Sequence, residues 1–276
     1  MRRTVIFILL SLLFCIDGFS KNTINVMSFN IRQNRVDDGI NSWDNRKNAV
    51  VAMLNDIAPD VMGVQEAYRD QVNYIARHCP EYQNVGWGRE NGHSKGEHTS
   101  IFYNANKFKL VKKGMFWLSE TPNTPSIGWD AKYKRTATWI VLKSNENGKE
   151  FLIVNTHLDN RGIEAKRLGL RMICDWIEDN GYSDLPYVLM GDFNTRPTDE
   201  ILDELNSRMS CARLCAQVAD QIGSFSGYGK RDVFPIIDYI YYTGFDACRS
   251  FKVNTHEYDG TKYISDHYPI YAVLEY

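Results

Sequence analysis

Short apolar runs rich in β-branched and aromatic residues recur along the chain, each halted by a polar cluster. They predict strands at Thr23–Asn30, Val61–Gln65, Thr99–Tyr103, Ala137–Leu142, Phe151–Thr156, Tyr187–Met190, Ile237–Tyr242 and Tyr268–Glu275. Between some of these runs the apolar spacing turns helical. Val50, Val51, Leu54 and Ile57 mark a helix over Trp43–Ile57; Leu168, Leu170, Met172, Ile173, Trp176 and Ile177 mark one over Ile163–Glu178. A shorter helix is predicted over Asp199–Ser207 with Thr198 as its N-cap, and a fourth near Met209–Gln221. Helices alternate with strands in the first half and strands dominate elsewhere. That favours a mixed α/β sandwich over a doubly wound parallel sheet. No Pro/Gly/Ser-rich linker divides the chain, so residues 21–276 are read as one domain.

The first twenty residues differ in character. Arg2 and Arg3 precede an apolar run, Val5–Ile16, broken by Ser11, and Gly18 and Ser20 supply small residues before Lys21. This is the pattern of a signal peptide over residues 1–20, too short for a comfortable membrane span. It predicts a secreted or periplasmic protein, read here as a monomer with no stable protein partner. The formal net charge of −2 lacks the basic excess common in proteins that grip long nucleic acid. Local basic clusters at Lys107–Lys113 and Lys132–Arg135 read as solvated strand edges and loops. Cys79, Cys174, Cys211, Cys215 and Cys248 follow no metal-binding spacing and demand no disulfide.

Candidate chemistry gathers where strands end. The run 187-YVLMGDFNTRP-197 stops at Gly191 and then presents Asp192 and Asn194, two apart. Thr23–Asn30 ends on Asn30, Val61–Gln65 is followed by Glu66, and 153-IVNTHLDN-160 ends on His157 and Asp159. Asp266 and His267 open the last strand. Taken singly, Asn30 or Glu66 reads as turn chemistry, and a lone His as a structural one. Asp238, flanked by Ile236, Ile237, Tyr239 and Ile240, is costly to bury unless paired. Together these residues supply oxygen ligands suited to a hard cation such as Mg²⁺ or Mn²⁺, with histidines for proton transfer. A hard cation, an acid-oriented water and two histidines make a phosphoester hydrolysis site.

In order along the chain, 27-MSFNIR-32, 64-VQEAY-68, 155-NTHLDN-160, 190-MGDFNTRP-197, 237-IDYIYY-242 and 265-SDHYPI-270 together resemble the endonuclease/exonuclease/phosphatase superfamily, the deoxyribonuclease-I-like enzymes. The resemblance implies an α+β fold, a four-layer α/β/β/α sandwich of two mixed β-sheets flanked by helices. It implies that Glu66, with Asn30 beside it and Asp266 as a further ligand, binds metal. It implies that Asp192 activates the attacking water and Asn194 holds that water and a phosphoryl oxygen. His267 resembles the catalytic histidine, Asp238 its orienting carboxylate, and His157 a phosphate-contacting histidine that Asp159 orients or merely follows as a turn residue. At period two, Asp192 and Asn194 project to one side of an extended segment, and Gly191 lets the backbone approach closely.

Substrate-binding candidates surround this set. Arg135, Arg32 and Arg196 offer guanidinium groups for phosphate. Trp117 and Trp129 bracket a Pro-bearing loop, either to stack on a base or sugar or to pack it. His93 and His98 lie in the polar loop 88-GRENGHSKGEH-98. The reading is a Mg²⁺- or Mn²⁺-dependent phosphoester hydrolase acting on a phosphodiester or phosphomonoester. Its substrate is left open among small-molecule phosphates, DNA or RNA, and a phospholipid head group of sphingomyelin type. A catalytically silent binding module is the non-enzyme alternative.

Overall fold

The computed structural model describes residues 21–276; the expected signal segment, residues 1–20, lies outside the described residues. In chain order the elements are β1 (Thr23–Asn30), α1 (Trp43–Ile57), β2 (Val61–Gln65), α2 (Arg69–His78), β3 (Tyr82–Val85), β4 (Ile101–Asn104), β5 (Phe108–Trp117), β6 (Thr136–Ser144) and β7 (Glu150–His157). There follow α3 (Ile163–Asp179), β8 (Tyr187–Asp192), α4 (Asp203–Arg208), β9 (Ser210–Cys211), α5 (Ala212–Cys215), β10 (Val218–Ala219), β11 (Asp238–Thr243), β12 (Ala247–Val253) and β13 (Ile270–Glu275). Among the described residues the strands form two sheets, ordered β10-β12-β13-β1-β2-β4-β3 and β5-β6-β7-β8-β11-β9. Both are mixed. β1 pairs parallel to β2 across the α1 crossover, β7 pairs parallel to β8 across α3, and antiparallel partners flank each pair.

Each sheet is buried on both faces. Ile24, Val26, Ile153, Val188, Met190, Ile240 and Leu274 pack between the sheets. Leu170, Ile173 and Ile177 of α3 pack on the outer face of the second sheet against Val154, Leu189 and Tyr241. Val50, Met53 and Leu54 of α1 and Val72 and Ile75 of α2 cover Phe29, Met62, Val64 and Phe102 on the first. The result is the α/β/β/α sandwich implied by the sequence resemblance.

The inner-face residues, two apart along each strand, change in polarity toward one end. β1 runs Ile24, Val26, Ser28, Asn30; β2 runs Val61, Gly63, Gln65; β7 runs Ile153, Asn155, His157; β8 runs Val188, Met190, Asp192. A buried polar layer therefore separates the apolar core from the ionisable residues. In it Asn155 Nδ2 donates to the carbonyls of Val64 and Ser100 on the opposite sheet (2.9 and 3.1 Å), and its Oδ1 accepts from Gln65 Nε2 (2.7 Å). Gln65 Nε2 also reaches Ser28 Oγ (3.1 Å). Gly63 makes room, since a Cβ there would lie 2.7 Å from the Asn155 amide.

Three sequence expectations change. The segment near Met209–Gln221 is not a continuous helix but β9, the four-residue α5 and β10. Its ends pair with β11 and β12, and buried Arg213 donates to the carbonyls of Asp220 and Ile222. Asp199, not Thr198, closes the turn before α4, accepting from Thr195 Oγ1 and the Arg196 amide. Elements without a clear apolar period, namely α2, β3, β5 and β12, appear beside those predicted.

Asn155→Leu keeps the branched shape but removes the bonds of Asn155 to Gln65, Val64 and Ser100 and leaves those two buried carbonyls without its amide. We expect a loss of about 2–4 kcal/mol in denaturant unfolding. An unchanged midpoint would refute the layer as the lock between the sheets.

Candidate active site

Strand register sets the first part of the site. His157 lies beside Asp192 and Asp192 beside Asp238, a row across β7, β8 and β11 at the mouth of the sandwich. Across the gap, Asn30 ends β1, and Glu66 follows β2 directly. These residues, with Asp266 and His267 just before β13, line one polar cavity of about 450 Å³; Asn30 and Asp238 reach it through their hydrogen bonds to the lining side chains.

Asp192 and Asn194 do come together, but not by strand alternation. β8 ends at Asp192, and Asn194 takes a left-handed backbone (φ +49°) while its amide donates to Asp192 Oδ1 (2.9 Å). Between them Phe193 turns into the core and stacks on Tyr239 and Tyr241. Lys166 Nζ anchors the Asn194 carbonyl (3.0 Å). Gly191 is required at that strand end, because a Cβ would meet the Thr156 carbonyl at 2.0 Å.

Asn194 Nδ2 donates to the Leu158 carbonyl and to His157 Nε2 (both 3.1 Å). Burial, reinforced by Arg135 and Arg89, holds the His157 pKa well below its ordinary value. The ring is therefore neutral, with Nε2 accepting and the proton on Nδ1, a tautomer assigned from this hydrogen bond. Asp159 does not orient it. Its carboxylate accepts from the amides of Tyr133, Arg161 and Gly162 and lies 3.4 Å from Arg135 Nε.

His267 is the opposite case. Nδ1 bonds Asp238 Oδ2 at 2.8 Å and Nε2 lies 3.7 Å from Asp192 Oδ2. Burial disfavours the imidazolium, but Asp238 and Asp192 outweigh it and raise the pKa to about 10. Burial, with repulsion from Asp238, pushes Asp192 up to about 7 against the pull of His267.

The acidic side of the cavity holds Glu66 and Asp266. Arg32 Nη1 lies 4.0 Å from Glu66 Oε2 and 3.8 Å from Asp266 Oδ2, while its Nε and Nη2 grip Asp38 at 2.9 and 3.0 Å. Two carboxylates facing one cationic group could supply part of the oxygen ligand set of a hard divalent ion. Arg32 and Glu66 also have left-handed backbones (φ +57° and +62°), strain that surrounding contacts must hold. Behind them the buried Arg46 donates to the carbonyls of Ile31, Arg32, Asn41 and Ile264. Asn30 is occupied at both ends: Nδ2 donates to Glu66 (3.2 Å) and Asp192 (2.9 Å), and Oδ1 accepts from the Arg32 amide. It bridges the two sides, where the sequence had placed it among metal ligands. Asp192, Asp238 and His267 bring their ligand atoms within 4.8 Å of one another, but Nδ1 of His267 is already engaged by Asp238.

Of the substrate-binding candidates, Arg32 and Arg135 line the cavity. Arg196 is exposed outside it. Trp117 is buried, with Nε1 on the Arg89 carbonyl (2.7 Å), and Trp129 lines a separate groove beside Phe116 and Trp176. Both tryptophans pack rather than stack at the site. His98 is buried and His93 is exposed. Sequence reading missed Arg89, Glu97, Tyr133 and Phe225, all in the cavity wall. Arg89 and Glu97 lie in the same polar loop as His93 and His98.

The endonuclease/exonuclease/phosphatase family model matches residues 27–267. Among solved structures, a mannosyl-6-phosphatase of Bacteroides thetaiotaomicron is 30% identical and superposes with a TM-score of 0.87 over 92% of this chain and 100% of that one. An endonuclease/exonuclease/phosphatase from Bacteroides vulgatus is 31% identical, also with a TM-score of 0.87, over 92% and 99%. A mimivirus protein of uncharacterised function, from Acanthamoeba polyphaga mimivirus, is 27% identical over 250 residues, 84% of this chain and 92% of its own. Mouse Nocturnin is 24% identical over 206 residues; the match spans 66% of this chain and 46% of the mouse protein.

The His267–Asp238 pair carries a pH prediction. A folded value raised above 6.5 means its stabilisation is complete below about pH 6.5 and is lost as pH rises through about 10. NMR titration of the metal-free protein should find His267 doubly protonated at about pH 8 and neutral there in Asp238→Asn. A neutral ring in the wild type at about pH 7 would contradict the pairing.

Proposed function

Because the chain belongs to the endonuclease/exonuclease/phosphatase family, we propose that it is an exported, divalent-cation-dependent enzyme that hydrolyses the phosphate ester of a small polyhydroxylated molecule, a sugar phosphate above all. The family and a phosphatase neighbour support a phosphoester hydrolase. One observation supports the finer reading: His157 and His267 flank Asp192 at 3.6 and 3.7 Å in a single walled cavity, opposite the Glu66–Asp266 pair. A mannosyl-6-phosphatase is among the neighbours at 30% identity, and the net charge of −2 gives no support to a nucleic-acid track. Export rests on the pattern of residues 1–20.

Glu66 and Asp266 would hold Mg²⁺ or Mn²⁺, which when bound supplies Lewis-acid polarisation of a phosphoryl oxygen. Asp192 in its ionised form takes a proton from the attacking water, and Asn194 fixes the direction of its carboxylate. His267, held by Asp238 at Nδ1, presents a protonated Nε2 to the charge that develops on phosphate or leaving oxygen. Asn30 keeps Glu66 and Asp192 at a fixed separation. Arg135, whose Nη1 is buried without a partner, supplies a donor to phosphoryl oxygens.

The test is a panel of hexose 6-phosphates, inositol phosphates, sphingomyelin, DNA, RNA and bis-p-nitrophenyl phosphate, with Mg²⁺ or EDTA. We expect Mg²⁺-dependent orthophosphate release from sugar phosphates, silenced by EDTA and about 10²–10⁴-fold slower in Asp192→Ala. Cleavage of nucleic acid or sphingomyelin instead would overturn the substrate; turnover in EDTA would overturn the cation.

A further inference from the structure

One wall of the cavity has no role in the chemistry above. It is built by the 88–98 loop, which folds back on itself through Arg89 N to Glu97 O (3.0 Å) and Glu90 N to Lys95 O (3.0 Å). The loop is fastened from outside by three contacts: Trp117 Nε1 on the Arg89 carbonyl (2.7 Å), Lys134 Nζ on Glu90 (2.6 Å), and Arg69 Nη2 on the His93 carbonyl (2.8 Å). So fastened, it presents Arg89 and Glu97 to the cavity as a preformed pair, Nη1 to Oε2 at 2.6 Å. The Arg89 guanidinium lies over the Tyr133 ring at 5.4 Å, and Arg135 reaches the same ring at 5.6 Å.

The two arginines are not equivalent. Arg135 is buried, faces Asp159 only at 3.4 Å and leaves Nη1 unpartnered, which suits an anion. Arg89 also leaves its Nε without a hydrogen bond, but its charge is already neutralised by Glu97, whose carboxylate would repel a second phosphate. A neutral pair of this kind instead offers adjacent donors and acceptors, which match neighbouring neutral hydroxyls. Glu97 is not spent on His157 either, since Oε2 lies 3.9 Å from Nδ1, beyond a hydrogen bond.

We infer that Arg89 and Glu97 form the leaving-group subsite, reading vicinal hydroxyls of a polyol while Arg135 and the catalytic row hold its phosphate. This rests on the sugar-phosphate reading and assigns its specificity to two residues. The experiment compares the full protein and its Glu97→Gln and Arg89→Lys variants on a hexose 6-phosphate, its monodeoxy analogues and p-nitrophenyl phosphate, which has no hydroxyl to read. Wild type should lose about tenfold or more in kcat/KM when one hydroxyl is removed. In the variants KM for the intact sugar phosphate should rise about tenfold with kcat within about threefold, and the penalty for the missing hydroxyl should collapse. Wild type active on p-nitrophenyl phosphate but on no sugar phosphate would overturn the substrate reading and the subsite with it. Equal wild-type rates on intact and deoxy sugars, or variants that lose as much on p-nitrophenyl phosphate as on sugar phosphate, would overturn the subsite alone. The wild-type comparison decides even if a variant fails to fold.

Discussion

The buried amide of Asn155 is the constraint on which the site depends. It stands on the second sheet and bonds two backbone carbonyls and one side chain of the first. Two packed sheets held by apolar contacts alone can slide, because dispersion and burial are non-directional. A hydrogen-bonded polar layer cannot slide without stranding groups at roughly 1–3 kcal/mol each. With that layer fixed, the next inner-face residues along each strand fall opposite one another: Asn30 from β1, His157 from β7 and Asp192 from β8, with Glu66 just past β2. The polarity gradient between the sheets, from apolar core through amides to ionisable groups, is thus both the packing plan and the origin of the site.

Within the cavity the charges are divided. Glu66 and Asp266 face the Arg32 guanidinium on one side. Asp192, Asp238 and His267 share protons on the other, and the Asn30 amide spans the two. Burial disfavours the charged form of both histidines, and their neighbours decide the outcome: His157 has Arg135 and Arg89 nearby, and His267 has two aspartates. One ring is kept neutral and the other charged at the same pH. Left-handed backbones at Arg32, Glu66 and Asn194 place side chains that regular strands would aim elsewhere, and Arg46 and Lys166 hold two of those turns from behind.

Much of this was legible in the sequence. β1, β2 and α1 match the predicted ranges because their apolar periods are clean. Asp238 stood out because an acid in an apolar run needs a partner, and His267 supplies it. The catalytic motifs were read in order, but their geometry was not. Asn194 reaches the cavity by an Asx turn, which period two cannot show, and Asn30 turned out to be a bridge. Asn155 lay inside a quoted motif, yet its partner Gln65 is 90 positions away. β5 read as a solvated basic stretch because it is an edge strand whose lysines face water. Arg89 and Glu97 were invisible because their placement depends on Trp117 and Lys134, remote residues that fasten their loop.

The proposed division of the cavity into a cation side and a proton-transfer side is open to anomalous diffraction from crystals grown with Mn²⁺. Mn²⁺ should be bound by the carboxylates of Glu66 and Asp266, with the His267–Asp238 hydrogen bond intact. Mn²⁺ held instead by Asp192, Asp238 and His267, the other group able to take an ion, would contradict it.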